Sequence, residues 1–158
     1  MPKHFRTTIW LALLLGIMVT GLFSHPAQAS RHYTVTPVAL RGKWATTKNA
    51  NGISKYINIT KYTFYGADYK NGKKQPNSIY ASGKKFIANT NFTNLALSKH
   101  KNKFGYWNIG MSQSIATWKL KPVTVKHNGK KVKALSAVFI EDYNAYQMKF
   151  IHRYYYQK

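Results

Sequence analysis

The chain has 158 residues, no cysteine, 25 Lys plus Arg against 3 Asp plus Glu, and a net charge of +22. The missing thiols exclude disulfides, thiol catalysis, cysteine-ligated zinc and a lipid anchor on an amino-terminal cysteine. The charge imbalance points to polyanionic partners and to repulsion between copies, so a monomer is expected.

Residues 1–29 read as an export signal. Lys3 and Arg6 give a cationic start, the stretch from Ile9 to Phe23 is mostly apolar, and Ala27-Gln28-Ala29 supplies a small-x-small cleavage site. That apolar stretch is about 15 residues, against the roughly 20 that a spanning helix needs. Cleavage would remove 29 of the 158 residues and leave 129, expected as one domain, 30–158, without a membrane span. Losing Lys3 and Arg6 lowers the charge from +22 to +20. The expected location is secreted, extracellular or associated with a cell wall. Export without disulfides suits a Gram-positive surface.

From residue 38 onward the pattern is β. Tyr, Thr, Ile, Val, Phe and Trp gather in short runs between Asn, Gly, Lys and Ser. Strands are predicted at 38–46, 55–59, 62–69, 78–82, 85–90, 103–111, 114–120, 123–126, 131–140 and 146–156, with a loop at 96–102. Asn51-Gly52, Asn71-Gly72 and Asn128-Gly129 are hairpin signals, because this pair tolerates positive φ at both central positions of a type I′ turn. Alternation places Val38, Leu40, Gly42 and Trp44 on one inward face. It groups Trp107 with Ile109 and Met111, Trp118 with Ala116 and Leu120, and Tyr146, Met148, Phe150, His152 and Tyr154 together. The expected fold is all-β: a single antiparallel β-barrel of about 8–10 strands behind a signal helix.

Gly42-Lys43-Trp44 on the first strand resembles the opening motif of lipocalin and related calycin barrels. Arg153-x-Tyr155 near the carboxyl terminus is similar to the ending of intracellular fatty-acid-binding barrels. The resemblance implies a calycin-like barrel in which Gly42, Trp44 and Arg153 close one end, the arginine covering the indole. Strict alternation puts Arg153 on the face opposite Phe150, so that cover requires a bulge or a curled strand end. The chain also looks like the small, basic, signal-bearing extracellular proteins of Gram-positive bacteria, a likeness that brings no active site with it.

Catalytic constellations are absent from the sequence. Asp68, Glu141 and Asp142 are the only carboxylate side chains, and the last two fit a turn before the final strand. His32, His100, His127 and His152 lack ligand spacing, and His152 reads as a hydrogen-bonded core or rim residue. Ser82-Gly83-Lys84-Lys85 matches Ser-x-x-Lys, a pattern that a lysine-rich chain contains by chance, and its partner motifs are missing. No catalytic residue, metal or cofactor is expected. Lys and Tyr interleave along the chain, and the Tyr-rich carboxyl terminus is the expected exposed aromatic patch. The export signal argues against an intracellular nucleic-acid role, and no specific nucleic acid is expected as a partner.

The expected function is non-enzymatic: retention at the cell surface on anionic wall polymers such as teichoic acid, or on other anionic surfaces. The lysines expected to carry it are Lys70, Lys73, Lys74, Lys99, Lys101, Lys103, Lys130, Lys131 and Lys133. One alternative is an extracellular carrier of a small apolar ligand, with Trp44, Phe64, Tyr106 and Phe150 lining the interior. Another is a cationic toxin or inhibitor.

Overall fold

The computed structural model describes residues 33–84, 93–112, 117–144 and 147–158, with 140–144 and 147–149 given as backbone alone. The predicted signal segment and the predicted strand 85–90 lie outside the described residues. Among the described residues nine strands form: β1 (Gly42–Ala45), β2 (Ile53–Ile59), β3 (Thr63–Lys70), β4 (Lys73–Ser82), β5 (Leu95–Leu97), β6 (Trp107–Met111), β7 (Thr117–His127), β8 (Lys130–Asn144) and β9 (Gln147–Gln157). They pair in one antiparallel sheet of order β4-β3-β2-β1-β9-β8-β7-β6-β5. The sheet curls into a nearly closed barrel whose edges meet at a parallel bridge between Ser82 and Asn94. Parity dictates that seam: an antiparallel ring of odd strand number must bring two strands of one direction together.

Two of the Asn-Gly pairs make the expected hairpins. Asn71 and Gly72 (φ 50° and 84°) join β3 to β4, and Asn128 and Gly129 (φ 49° and 79°) join β7 to β8. In the third pair only Gly52 has positive φ (72°). Asn49 builds that turn instead, its Oδ1 accepting from the amides of Asn51 and Ile53.

Several boundaries differ from the sequence expectation. The predicted strand 38–46 splits into a 3-10 turn, Val38–Leu40, and β1, so Val38 is exposed while Leu40 is buried. The predicted loop 96–102 begins with β5, because Leu95 to Leu97 pair with Ile109 to Met111 ahead of the lysines. The predicted strands 114–120 and 123–126 are one strand over their described part. Pro122 interrupts no ladder there, since β6 pairs with β7 only up to Leu120. Glu141 and Asp142 do not form the turn before the final strand. Ile140 faces Phe150 and Asp142 faces Lys149, so Glu141 is the extra residue of a bulge, and β8 continues to Asn144.

The core joins both halves of the sheet: Leu40, Trp44, Ile57, Ile59, Phe64, Ile109, Leu120, Leu135 and Tyr155 are all at most 5% exposed. Trp107, Ile109, Met111, Trp118 and Leu120 point inward or pack on this cluster, as alternation implied. The last strand is reversed. Tyr155 is buried and Ile151 packs on the core, whereas Phe150 and Tyr154 are exposed. Both faces of β9 carry rings, so alternation alone could not choose between them. The register with Leu135, Ala137 and Phe139 of β8 does.

The segment before β1 laces one barrel end. The Thr34 amide donates to the Gly83 carbonyl and the Thr36 amide to Lys61 (both 3.0 Å), while the Arg41 guanidinium donates to the Thr36 carbonyl at 2.7 Å. Gly83 leaves no room for a side chain, because a Cβ there would strike the Thr34 carbonyl oxygen. Gly83→Ala is therefore expected to lower stability by about 1–3 kcal/mol, read as a lower midpoint in urea or thermal unfolding. An unchanged midpoint would show that the segment does not pack on Gly83.

Candidate functional site

Strand directions sort the lysines. Because β1 and β9 are antiparallel neighbours, β5, β7 and β9 run opposite to β1 and β3. The β3–β4 turn with Lys70, Lys73 and Lys74 therefore caps one end. The β5–β6 loop with Lys99, Lys101 and Lys103, and the β7–β8 hairpin with Lys130, Lys131 and Lys133, lie toward the other. All nine side chains are exposed. Among the described residues the one ion pair is Lys55–Asp68, at 3.0 Å, so none of the nine has a carboxylate partner there. The Tyr65 hydroxyl, hydrogen-bonded to Lys74 and acting on it electrostatically, holds that ammonium above its ordinary value.

A cleft of about 470 Å³ opens beside the core, walled by Ile57, Phe64, Ile79, Trp118, Phe139 and Tyr155 and carrying the Lys55–Asp68 pair at its polar edge. Phe64 packs against Trp118 with ring centroids 5.0 Å apart. Of the four residues expected to line an interior, Phe64 alone borders this cleft. Trp44 is buried in the core and donates its indole N–H to the Leu40 carbonyl at 3.0 Å. Tyr106 bonds Ser136 on the outer face of the sheet at 2.9 Å. Phe150, 59% exposed, also lies outside.

Gly42 and Trp44 do sit together. Gly42 has φ 135°, and a Cβ there would lie 3.4 Å from the indole nitrogen, so the backbone angle is the main demand for glycine. Arg153 is on the inward face and sets its guanidinium 5.4 Å from the Phe139 ring centre. The residue opposite Trp44 is Gln157, four positions further on. At strand spacing, Arg153 is displaced from the level of Trp44 by about 13 Å.

On the outer face, Tyr106, His152 and Phe150 meet three residues that the sequence did not single out, Ser136, Lys119 and Lys121. Ser136, 3% exposed, shares its hydroxyl with the Tyr106 hydroxyl and with His152 Nε2, the latter at 2.7 Å. His152 is thus hydrogen-bonded, but at the surface and not in the core. Lys119 and Lys121 flank this network, their ammonium groups 5.6 Å from the Phe150 ring and 5.7 Å from the Tyr106 ring. The alternation of Lys119 and Lys121 was visible in the sequence, but their neighbours on β8 and β9 were not.

Among the described residues no cluster of His, Asp and Glu is placed to hold a metal ion, and no helix is long and apolar enough to cross a membrane. The chain matches no family model, and neither a curated protein nor a solved structure matches it.

Tyr56 borders the cleft, and burial first, then repulsion from Tyr69 and Tyr65, raises its phenol above the ordinary 10.0. The folded state therefore binds this proton more tightly than the unfolded chain. The stabilisation is present below pH 10.0 and is lost as pH rises through the folded value. Tyr56→Phe is expected to reduce the fall in melting temperature between about pH 9 and about pH 11. An unaltered slope would place the alkaline sensitivity elsewhere.

Proposed function

We propose that this protein is a non-enzymatic, calycin-like barrel that is exported and then held at the cell surface by its positive charge, on anionic wall polymers such as teichoic acid. The supporting observation is the availability of the lysines: nine exposed side chains at both barrel ends without a carboxylate partner among the described residues. Each exposed contact contributes little, about 0–1 kcal/mol, so retention depends on many acting together. Lysine suits this role, because its ammonium acts as a point charge with no demand for bidentate geometry. At about 1 M salt the screening length shrinks to about 3 Å, and washing cells at that strength is expected to release the protein. Replacing Lys99, Lys101, Lys103, Lys130, Lys131 and Lys133 by Gln should lower the salt needed. Release by detergent but not by salt would overturn the reading in favour of a hydrophobic anchor.

A second reading rests on the cleft. Its volume of about 470 Å³ falls within the roughly 300–1,000 Å³ of small-molecule sites, and its walls are largely apolar rings. A carrier of a small apolar ligand would bind an environment-sensitive apolar dye at one site per chain. Ile79→Trp, which narrows the cleft, should weaken that binding by about tenfold, a value set by the loss of one well-packed apolar group. Dye binding that is indifferent to this substitution would dismiss the carrier.

A further inference from the structure

The outward face of β9 departs from what a solvent-facing strand requires. Its alternate positions hold Phe150, His152, Tyr154 and Tyr156, where an antiparallel sheet facing water ordinarily carries polar residues. Phe150 is 59% exposed and Tyr154 40% exposed. At two residues per step the four side chains form a column about 20 Å long along the strand. Phe150, His152 and Tyr154 are exposed and Tyr156 is half-buried; a run of exposed rings on one strand marks a contact surface.

The rings are held in place. Ser136 lies beneath the column and ties Tyr106 to His152 through its hydroxyl. His152 meets Tyr154 edge-on, with centroids 4.8 Å apart and planes at 87°. Tyr156 stacks on His127 of β7, with centroids 4.0 Å apart. Two cations border the column on one side, at the levels of His152 and Tyr154. Lys119 and Lys121 stand on the outward face of β7, two strands away, and Lys121 also donates to the Phe104 carbonyl at 3.1 Å. Phe104 itself is 65% exposed and lies under Lys103, at 5.2 Å.

We propose that this outer face is a stacking platform for single-stranded nucleic acid, bound without sequence preference. Flat exposed rings in a row, bordered by lysines, match a strand that offers unpaired bases on one side and phosphates on the other. A duplex hides its bases in the stack and leaves the rings nothing to meet. A polyol phosphate offers charge and no planar group. An acidic peptide would use the lysines and leave most of the column bare. The platform is distinct from diffuse retention on wall polymers, which needs lysines at both ends and no aromatic contact.

The test is fluorescence anisotropy with the purified full chain at about 0.15 M salt, the physiological strength. The probes are a labelled 20-nucleotide oligo(dT), a labelled duplex of the same length and inorganic polyphosphate as competitor. Oligo(dT) is expected to bind about tenfold or more tightly than duplex. The double variant Phe150→Ala/Tyr154→Ala is expected to lose about tenfold or more for oligo(dT), with polyphosphate binding and salt-dependent retention on cells unchanged. Both side chains are exposed, so the melting temperature should hold; the single variant Phe150→Ala serves if the double variant unfolds. Lys119→Gln/Lys121→Gln should flatten the salt dependence. Equal affinity for single strand and duplex, or wild-type binding by Phe150→Ala/Tyr154→Ala, would overturn the platform and leave charge alone. Loss of cell retention with intact oligo(dT) binding would overturn the wall reading and leave the platform standing.

Discussion

With 25 cations and three carboxylates, this chain has no means of neutralising itself, and its lysines lie over rings where other proteins would set them beside acids. Lys61 and Lys84 both approach Tyr62, at 4.9 and 6.0 Å, Lys74 approaches Tyr65 at 5.4 Å, and Lys101 lies 5.9 Å from Trp107. Such a contact contributes about 0.5–1 kcal/mol at an exposed site. It orders the stem of the side chain against the sheet and leaves the charge uncancelled. A salt bridge would do the first and undo the second. The outer surface is therefore both ordered and strongly charged, which is the physical basis of any reading in which this molecule meets a polyanion.

Self-repulsion on that scale opposes the compact state, and no disulfide offsets it. The burden falls on packing and on closure of the barrel. Trp44 serves both, its ring in the core and its N–H on the Leu40 carbonyl, so that the 3-10 turn is fixed over the barrel end as a plug. Thr34, Thr36 and Arg41 then lace the preceding segment to the β2–β3 loop and to the end of β4. Gly42 and Gly83 are where backbone geometry leaves no alternative to glycine, one through its φ and the other through the Thr34 carbonyl pressed against it.

The all-β class and the two hairpins at Asn71 and Asn128 were legible because turn chemistry is local. What depended on neighbours was not. Pro122 looked like a strand boundary only as long as the length of β6 was unknown, and Asn51-Gly52 yielded its turn to the Asn49 side chain two residues earlier. Leu95 to Leu97 were hidden by the lysines that follow them. The reversal of β9 is the most instructive case. Phe150, His152 and Tyr154 compete with Ile151, Arg153 and Tyr155 for the inside, and an arginine on the second set disguised it as the outer one. Exposure of the nine lysines was readable from their charge. Their division between two ends required the ring order of the strands. Ser136 carried no signal at all, being an ordinary strand serine until Tyr106 and His152 are brought to it.

β9 is thus a wall with two chemistries. Inward, Tyr155 borders the cleft and Arg153 lies against Phe139; outward, rings that would have been core residues in the opposite register face water. This strand carries more aromatic side chains than the core absorbs, and Phe150 and Tyr154 in the outer set remain largely exposed. The field and the rings also act over different ranges. Lysines draw any polyanion from within a screening length of about 8–10 Å and do not discriminate among them. Rings act only at contact and stack best on planar groups, so selectivity among polyanions on this surface would come from the column from Phe150 to Tyr156 and not from the charge around it.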